Sequence, residues 1–137
     1  MSRKTAREIT LKIIFEYAFQ KENPEDLYNR YIDMQEDLEM TPEDSKYVLQ
    51  VINGVSQNLD AIDDQIKAHL KDWNFERISK VDLALLRLSI YEIMFMEDIP
   101  EKVSVNEAVE LSKAYSEENS ASFINGMLAE ILKDIKK

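Results

Sequence analysis

The 137-residue chain has no cysteine, one histidine, one tryptophan, two glycines and three prolines. Without cysteine there are no disulfides, thiolate metal sites or cysteine nucleophiles, and a reducing, intracellular setting is expected. A Ser-His-Asp arrangement would have to use His69, and the two histidines of an HExxH zinc site cannot be supplied. Gly54 and Gly126 stand 72 positions apart, so neither a GxGxxG nor a GxxxxGK[ST] phosphate loop can be written. Long uncharged runs are missing too. The most apolar stretch, residues 78–96, contains Lys80, Asp82, Arg87 and Glu92, well short of the roughly 20 apolar residues that a membrane helix needs. The first apolar run is interrupted by Lys12 and Glu16 and does not read as a signal peptide. The expectation is a soluble, cytoplasmic, non-enzymatic protein with no catalytic residues, no cofactor and no metal site.

What is present is a core and an uneven charge. Hydrophobic residues make up 45% of the chain and charged residues 32%, which argues for a packed interior in a single domain over 1–137. The net charge is −10. Residues 1–15 carry Arg3, Lys4, Arg7 and Lys12 against Glu8 alone, whereas the rest carries 13 bases against 26 acids. An acidic body repels a polyanion at long range, yet a short basic arm still acts within a Debye length of about 8 Å.

With glycine and proline so scarce, helix boundaries are easy to place. Ser2 is a candidate N-cap for a helix over residues 3–21, which ends before Asn23-Pro24. Asn23-Pro24 then starts a second helix reaching Leu38, and Thr41-Pro42 starts a long amphipathic one, from Val48 to Leu70, with bends possible at Gly54 and near Asn58. Residues 78–96 are apolar around most of their circumference and belong inside a bundle. Ser104-Val105-Asn106-Glu107 has the form of a capping box, and a final helix begins near Asn119-Ser120 and runs to Lys136-Lys137. The fold class is all-α, with six to seven helices, an N-terminal half of about 1–71, a C-terminal half of about 72–137 and one shared core.

Several residues stand out against this background. His69 reads as a surface or packing residue, and Asp63-Asp64 and Glu117-Glu118 as solvated faces. Asp82, Arg87 and Glu92 follow one another at about 140° of helical rotation; interhelical ion pairs are the economical reading for the last two. For Asp82, placement by the helix dipole and a protein-docking contact both remain open. On the first helix, Lys4, Arg7 and Leu11 fall within about 60° of one another, with Phe15 on the same side. Cations continuing an apolar stripe suit recognition of single-stranded nucleic acid, and equally suit long side chains snorkelling over a core. Gly126 sits inside the last helical stripe, where a close helix crossing or a ligand's approach would explain it.

Taken in order, Arg3-Lys4-x-Ala6-Arg7-Glu8, Trp73, Arg77-Ile78, Val81-Asp82, Leu86-Arg87, Tyr91-Glu92, Asp98-Ile99-Pro100, residues 105–111 and Phe123-Ile124-Asn125-Gly126 resemble the NusB family of bacterial transcription antitermination factors. The resemblance implies two small helical bundles and a non-enzymatic role. It implies binding of boxA RNA in ribosomal RNA operons together with NusE, a ribosomal small-subunit protein, within a complex of other Nus factors and RNA polymerase. By the same resemblance, Arg3, Lys4, Arg7, Phe15, Asn119 and Phe123 are RNA-binding, and Asp82 lies where NusE docks. Thr5 and Ser122 stand where the family often has bases, which predicts a weaker phosphate attraction. The alternative from another class is a purely structural helical interaction protein, a homodimer whose basic end is buried. A methyltransferase fused to such a domain is not expected at this length.

Overall fold

The computed structural model of the chain describes residues 3–35, 38–70 and 74–135. Its helices are α1 (Arg3–Phe19), α2 (Pro24–Asp33), α3 (Pro42–Gln57), α4 (Leu59–Ala68), α5 (Lys80–Phe95), α6 (Glu101–Tyr115) and α7 (Ser120–Ile135), with a single 3-10 turn (Phe75–Arg77) before α5. There is no strand among the described residues. The sequence signals for Ser2, Trp73 and Lys136-Lys137 lie outside the described residues.

The starts signalled by Asn23-Pro24 and Thr41-Pro42 fall where the sequence places them, and Ser79 supplies a further cap. The Asn23 side-chain oxygen accepts from the backbone N–H groups of Glu25 (2.9 Å) and Asp26 (3.4 Å), with Pro24 opening α2. Thr41 accepts from the Asp44 N–H at 3.1 Å to open α3, and Ser79 accepts from the Asp82 N–H at 3.1 Å to open α5. Each cap satisfies a donor that the first helical turn leaves without a partner.

Three boundaries or roles differ from expectation, and the bend expected near Asn58 is a division between two helices. Helix α2 stops at Asp33, where the Met34 N–H closes the last turn on the Arg30 and Tyr31 carbonyls, and Leu38 packs on the core after it. The long helix divides at Asn58, whose side-chain amide and backbone N–H both donate to the Gly54 carbonyl, at 2.8 and 2.9 Å. Helix α6 begins at Glu101 rather than at a capping box, and Ser104 lies inside it, buried. The glycines exchange parts. A Cβ at Gly54 would overlap the Tyr91 phenol ring, so the close helix approach is between α3 and α5. Gly126 is exposed, and a Cβ there would meet nothing within 4 Å.

Helix α5 is the centre of the assembly. Every residue from Asp82 to Glu92 is buried, and α5 packs on α1, α3, α4, α6 and α7. All seven helices contribute to one hydrophobic cluster, with Ile13, Leu27, Val48, Ile62, Leu85, Leu86, Leu111 and Ile124 among its members. Each such side chain contributes roughly 1.5–3 kcal/mol when fully buried. Exposed ion pairs such as Arg30 with Glu16 and Glu22 add little by comparison.

Candidate nucleic-acid interface

Helix α1 lies along α5 with opposite chain sense: Arg7 meets Glu92 near the end of α5, while Phe15 lies with Val81 near its start. The stripe Ala6, Arg7, Thr10, Ile13 and Ile14 is buried, and what α1 leaves exposed is Arg3, Lys4 and Lys12, with Phe19 at its end. Phe15 is half-buried, in edge contact with Phe19 at 5.1 Å between ring centres.

Arg7 therefore does not join the open basic surface, contrary to the sequence expectation. It is 3% exposed, and its Nε and one terminal nitrogen donate to the two Glu92 carboxylate oxygens at 2.9 and 3.1 Å. The other terminal nitrogen lies 3.5 Å from Glu107. Glu92, completely buried, also accepts from the Tyr47 hydroxyl and from Ser104 Oγ at 2.7 Å. A buried carboxylate is tolerable only when its acceptor capacity is filled, and here four donors from α1, α3 and α6 fill it. Burial pulls the Arg7 guanidinium downward, but Glu92 more than reverses that and leaves it raised and charged. Burial, reinforced by Glu92, pushes the Tyr47 hydroxyl up, so it serves as a permanent donor. Ser104 and Glu107, the two ends of the expected capping box, are thus spent on tertiary contacts instead. The arrangement explains why a cation falls on an apolar stripe.

Asp82 is likewise turned inward. Only 8% exposed, its carboxylate accepts from Ser116 Oγ at 2.6 Å and Ser120 Oγ at 2.9 Å, tying the α6–α7 connection to the start of α5. Each oxygen thus has one donor within the chain, and the contact ties Asn119, just before α7, and Phe123, in its first turn, to the start of α5. Asn119 is exposed and Phe123 half-buried. The pairing expected of Arg87 is found with Asp63 on α4, through two bonds of 2.9 Å, so Asp63 is not simply solvated. His69 packs between α4 and α7, its ring nitrogens 2.7 Å from the Gln65 carbonyl and 2.5 Å from Asp134.

Two recesses flank the first turn of α5. One, of about 270 Å³, is lined by Arg77, Ser79, Asp82, Glu117, Asn119 and Phe123 among others. The other, of about 210 Å³, is lined by Leu11, Lys12, Phe15, Val81 and Tyr115. Tyr115 donates its hydroxyl to Glu8 at 2.7 Å, and that bond, ahead of burial, pushes the phenol up to about 12. The Lys12 ammonium stands 5.7 Å from the centre of the Tyr115 ring. Arg3 is placed in the same manner over Tyr47, at 4.4 Å.

The structure therefore brings Asn119 and Phe123 together, puts Phe15 in the adjoining recess, leaves Arg3 and Lys4 open at the start of α1, removes Arg7 to the interior, and sets the largely buried Asp82 in the wall of the first recess. Sequence reasoning gave no role to Lys12, Arg77 or Tyr115. The signal for Lys12 was its spacing three residues before Phe15; nothing local marks Tyr115, whose place depends on α6 crossing α1. Among the described residues there is no cluster of potential metal ligands, and no helix is long and apolar enough to cross a membrane.

This all-helical architecture, centred on one buried helix, is shared with known proteins. A model of the NusB family matches residues 4–133. A protein of Clostridium novyi (strain NT) named transcription antitermination protein NusB is 44% identical over 133 residues, covering 97% of this chain and 99% of that protein. A crystal form of T. maritima NusB superposes with a TM-score of 0.87 at 34% identity, covering 97% of this chain and 92% of that one. A chain from a crystal structure of antitermination factors NusB and NusE in complex with dsRNA has a TM-score of 0.86, covering 96% of each chain; at 24% identity that likeness concerns the fold. The chain belongs to the NusB family.

Proposed function

We propose that this chain is a non-enzymatic, RNA-binding transcription antitermination factor that takes up boxA RNA together with a NusE-type ribosomal small-subunit protein and supports antitermination in ribosomal RNA operons. The observation that carries the reading is the family match over residues 4–133. Exposed Arg3 and Lys4, the half-open Phe15 and Phe123 rings and exposed Asn119 support it, since cations and ring faces on adjoining surface are what an unpaired strand requires. With Arg7 withdrawn into the core and a net charge of −10, the chain alone attracts phosphate weakly. A basic protein partner offsets that charge, which is a physical reason for binding RNA as a heterodimer. Other Nus factors and RNA polymerase complete the assembly in the cytoplasm.

The test is a binding titration of boxA-containing RNA and a scrambled control, each with and without NusE, at two ionic strengths. The expected result is preference for boxA, strengthened by NusE and weakened by salt. Equal and salt-independent affinities for both RNAs overturn the reading; in that case light scattering on the free chain tests the homodimeric alternative.

A further inference from the structure

We propose that Tyr47 is a positioning residue for RNA binding: its ring holds the Arg3 guanidinium flat before RNA arrives and leaves the N–H edge of that group to a backbone phosphate. This rests on the RNA-binding reading above, deepens it at Arg3, and adds a residue of α3 that the reading does not contain.

Two exposed cations, Arg3 and Lys4, are neighbours in the chain and differ in what they are. The guanidinium carbon of Arg3 stands 4.4 Å from the centre of the Tyr47 ring, within the range where the ring quadrupole attracts a cation. Contact through the face of a guanidinium leaves the five N–H donors at its edge, where two parallel bonds suit a phosphate. The ammonium of Lys4 is a point charge with no such edge to orient.

The platform under Arg3 is itself fixed. Tyr47 is 2% exposed, its hydroxyl donates to the buried Glu92 carboxylate, and Arg7 stands 5.8 Å from the same ring centre. Burial, reinforced by Glu92, keeps the phenol protonated, so the ring presents a neutral π face rather than a phenolate that would compete with RNA for Arg3. Arg7 and Glu92 fix the ring, and the ring fixes Arg3, one turn earlier on α1 than Arg7. A long side chain already held in one geometry loses less freedom when a phosphate arrives. An arginine that only shields Tyr47 from water would lie in the same place, and a double-mutant cycle separates the two roles.

The cycle is read by titrating boxA RNA against the NusE complex of each variant over a range of salt concentrations. Arg3→Gln is expected to reduce the slope of log affinity against log salt by about 0.7, the value for one phosphate of a single strand. Tyr47→Leu is expected to weaken binding about 2- to 10-fold with the slope unchanged, because the Arg3 charge stays and only its orientation is lost. Tyr47→Phe, which keeps the ring, is expected to restore most of that loss while lowering stability, since the Glu92 carboxylate loses a donor. In an Arg3→Gln background Tyr47→Leu is expected to cost nothing further; in a Lys4→Gln background it keeps its full effect. Circular dichroism verifies the helicity of each variant. Nuclear magnetic resonance of the free, unmodified chain adds a measurement that needs no variant: the ring current of Tyr47 is expected to move the Arg3 side-chain protons upfield. Unaltered RNA affinity in folded Tyr47→Leu, an equal loss with and without Arg3, or Arg3 protons at the shifts of an unstacked arginine overturn the proposal. A wild-type slope in Arg3→Gln overturns the Arg3 phosphate contact and the proposal with it. If the unmodified complex binds boxA RNA no better than a scrambled RNA, the RNA-binding reading itself has failed.

Discussion

Arg3 and Arg7 stand four residues apart on one helix and meet opposite environments. Arg7 is enclosed with Glu92, Tyr47 and Ser104, while Arg3 lies exposed across the same Tyr47 ring. Their sequence context is nearly the same; what separates them is the helix that each faces. One guanidinium is structural cement because a buried carboxylate requires it, and the other is left to meet something from outside. The glycines divide in the same way, Gly54 against the Tyr91 ring and Gly126 in open space. A basic motif at the head of this chain thus divides in two, one part enclosed in the core and the other left at the surface.

The contrast breaks most severely at Glu92. Glu92→Ala leaves the Arg7 charge buried without its principal partner and should cost about 3–5 kcal/mol in urea denaturation. A cost under ~1 kcal/mol would mean the cluster is not holding α1 on α5. Next comes Gly54→Ala, which overpacks the α3–α5 contact and should cost about 1–3 kcal/mol, whereas Gly126→Ala should gain up to about 1 kcal/mol by removing a helical glycine. Thermal melts of the pair should move in opposite directions. Joint replacement of Arg3 and Lys4 by Gln should change stability by no more than ~0.5 kcal/mol, yet flatten the salt slope of RNA binding by about 1.4. The smallest effect concerns Tyr115. Its folded-state value is raised from 10.0 to about 12, so its contribution to stability is complete below the ordinary phenol range and is withdrawn as pH climbs from there through about 12. The ring is 39% exposed, so that contribution is small. An ultraviolet titration of Glu8→Gln against the unmodified chain should show one phenol ionising earlier.

The parts of the fold legible in the sequence are those set by nearest neighbours. Asn23-Pro24 and Thr41-Pro42 start helices wherever they occur, and an apolar helix carrying Arg87 and Glu92 announces that partners must exist. Which partners they are is decided across the core. Ser104 and Glu107 satisfy a local capping rule but are claimed by Glu92 and Arg7, because a buried carboxylate and guanidinium outweigh one capping bond. Asp82 reads as an available carboxylate until the α6–α7 connection brings two serines to it. For the candidate interface, Arg3, Lys4, Phe15, Asn119 and Phe123 remain on or near the surface. Lys12, Arg77 and Tyr115 join them only when α1, α5 and α6 are assembled, since no spacing in the chain relates the three.

The bonds from Asp82 to Ser116 and Ser120 have a genetic consequence. The start of α7 is tied through these bonds to the start of α5, so a lesion at Asp82 is expected to displace Asn119 and Phe123 without altering either. Screens for defective partner binding and screens for defective RNA binding would then recover the same allele, and a suppressor would be expected in the serine pair rather than in any ligand.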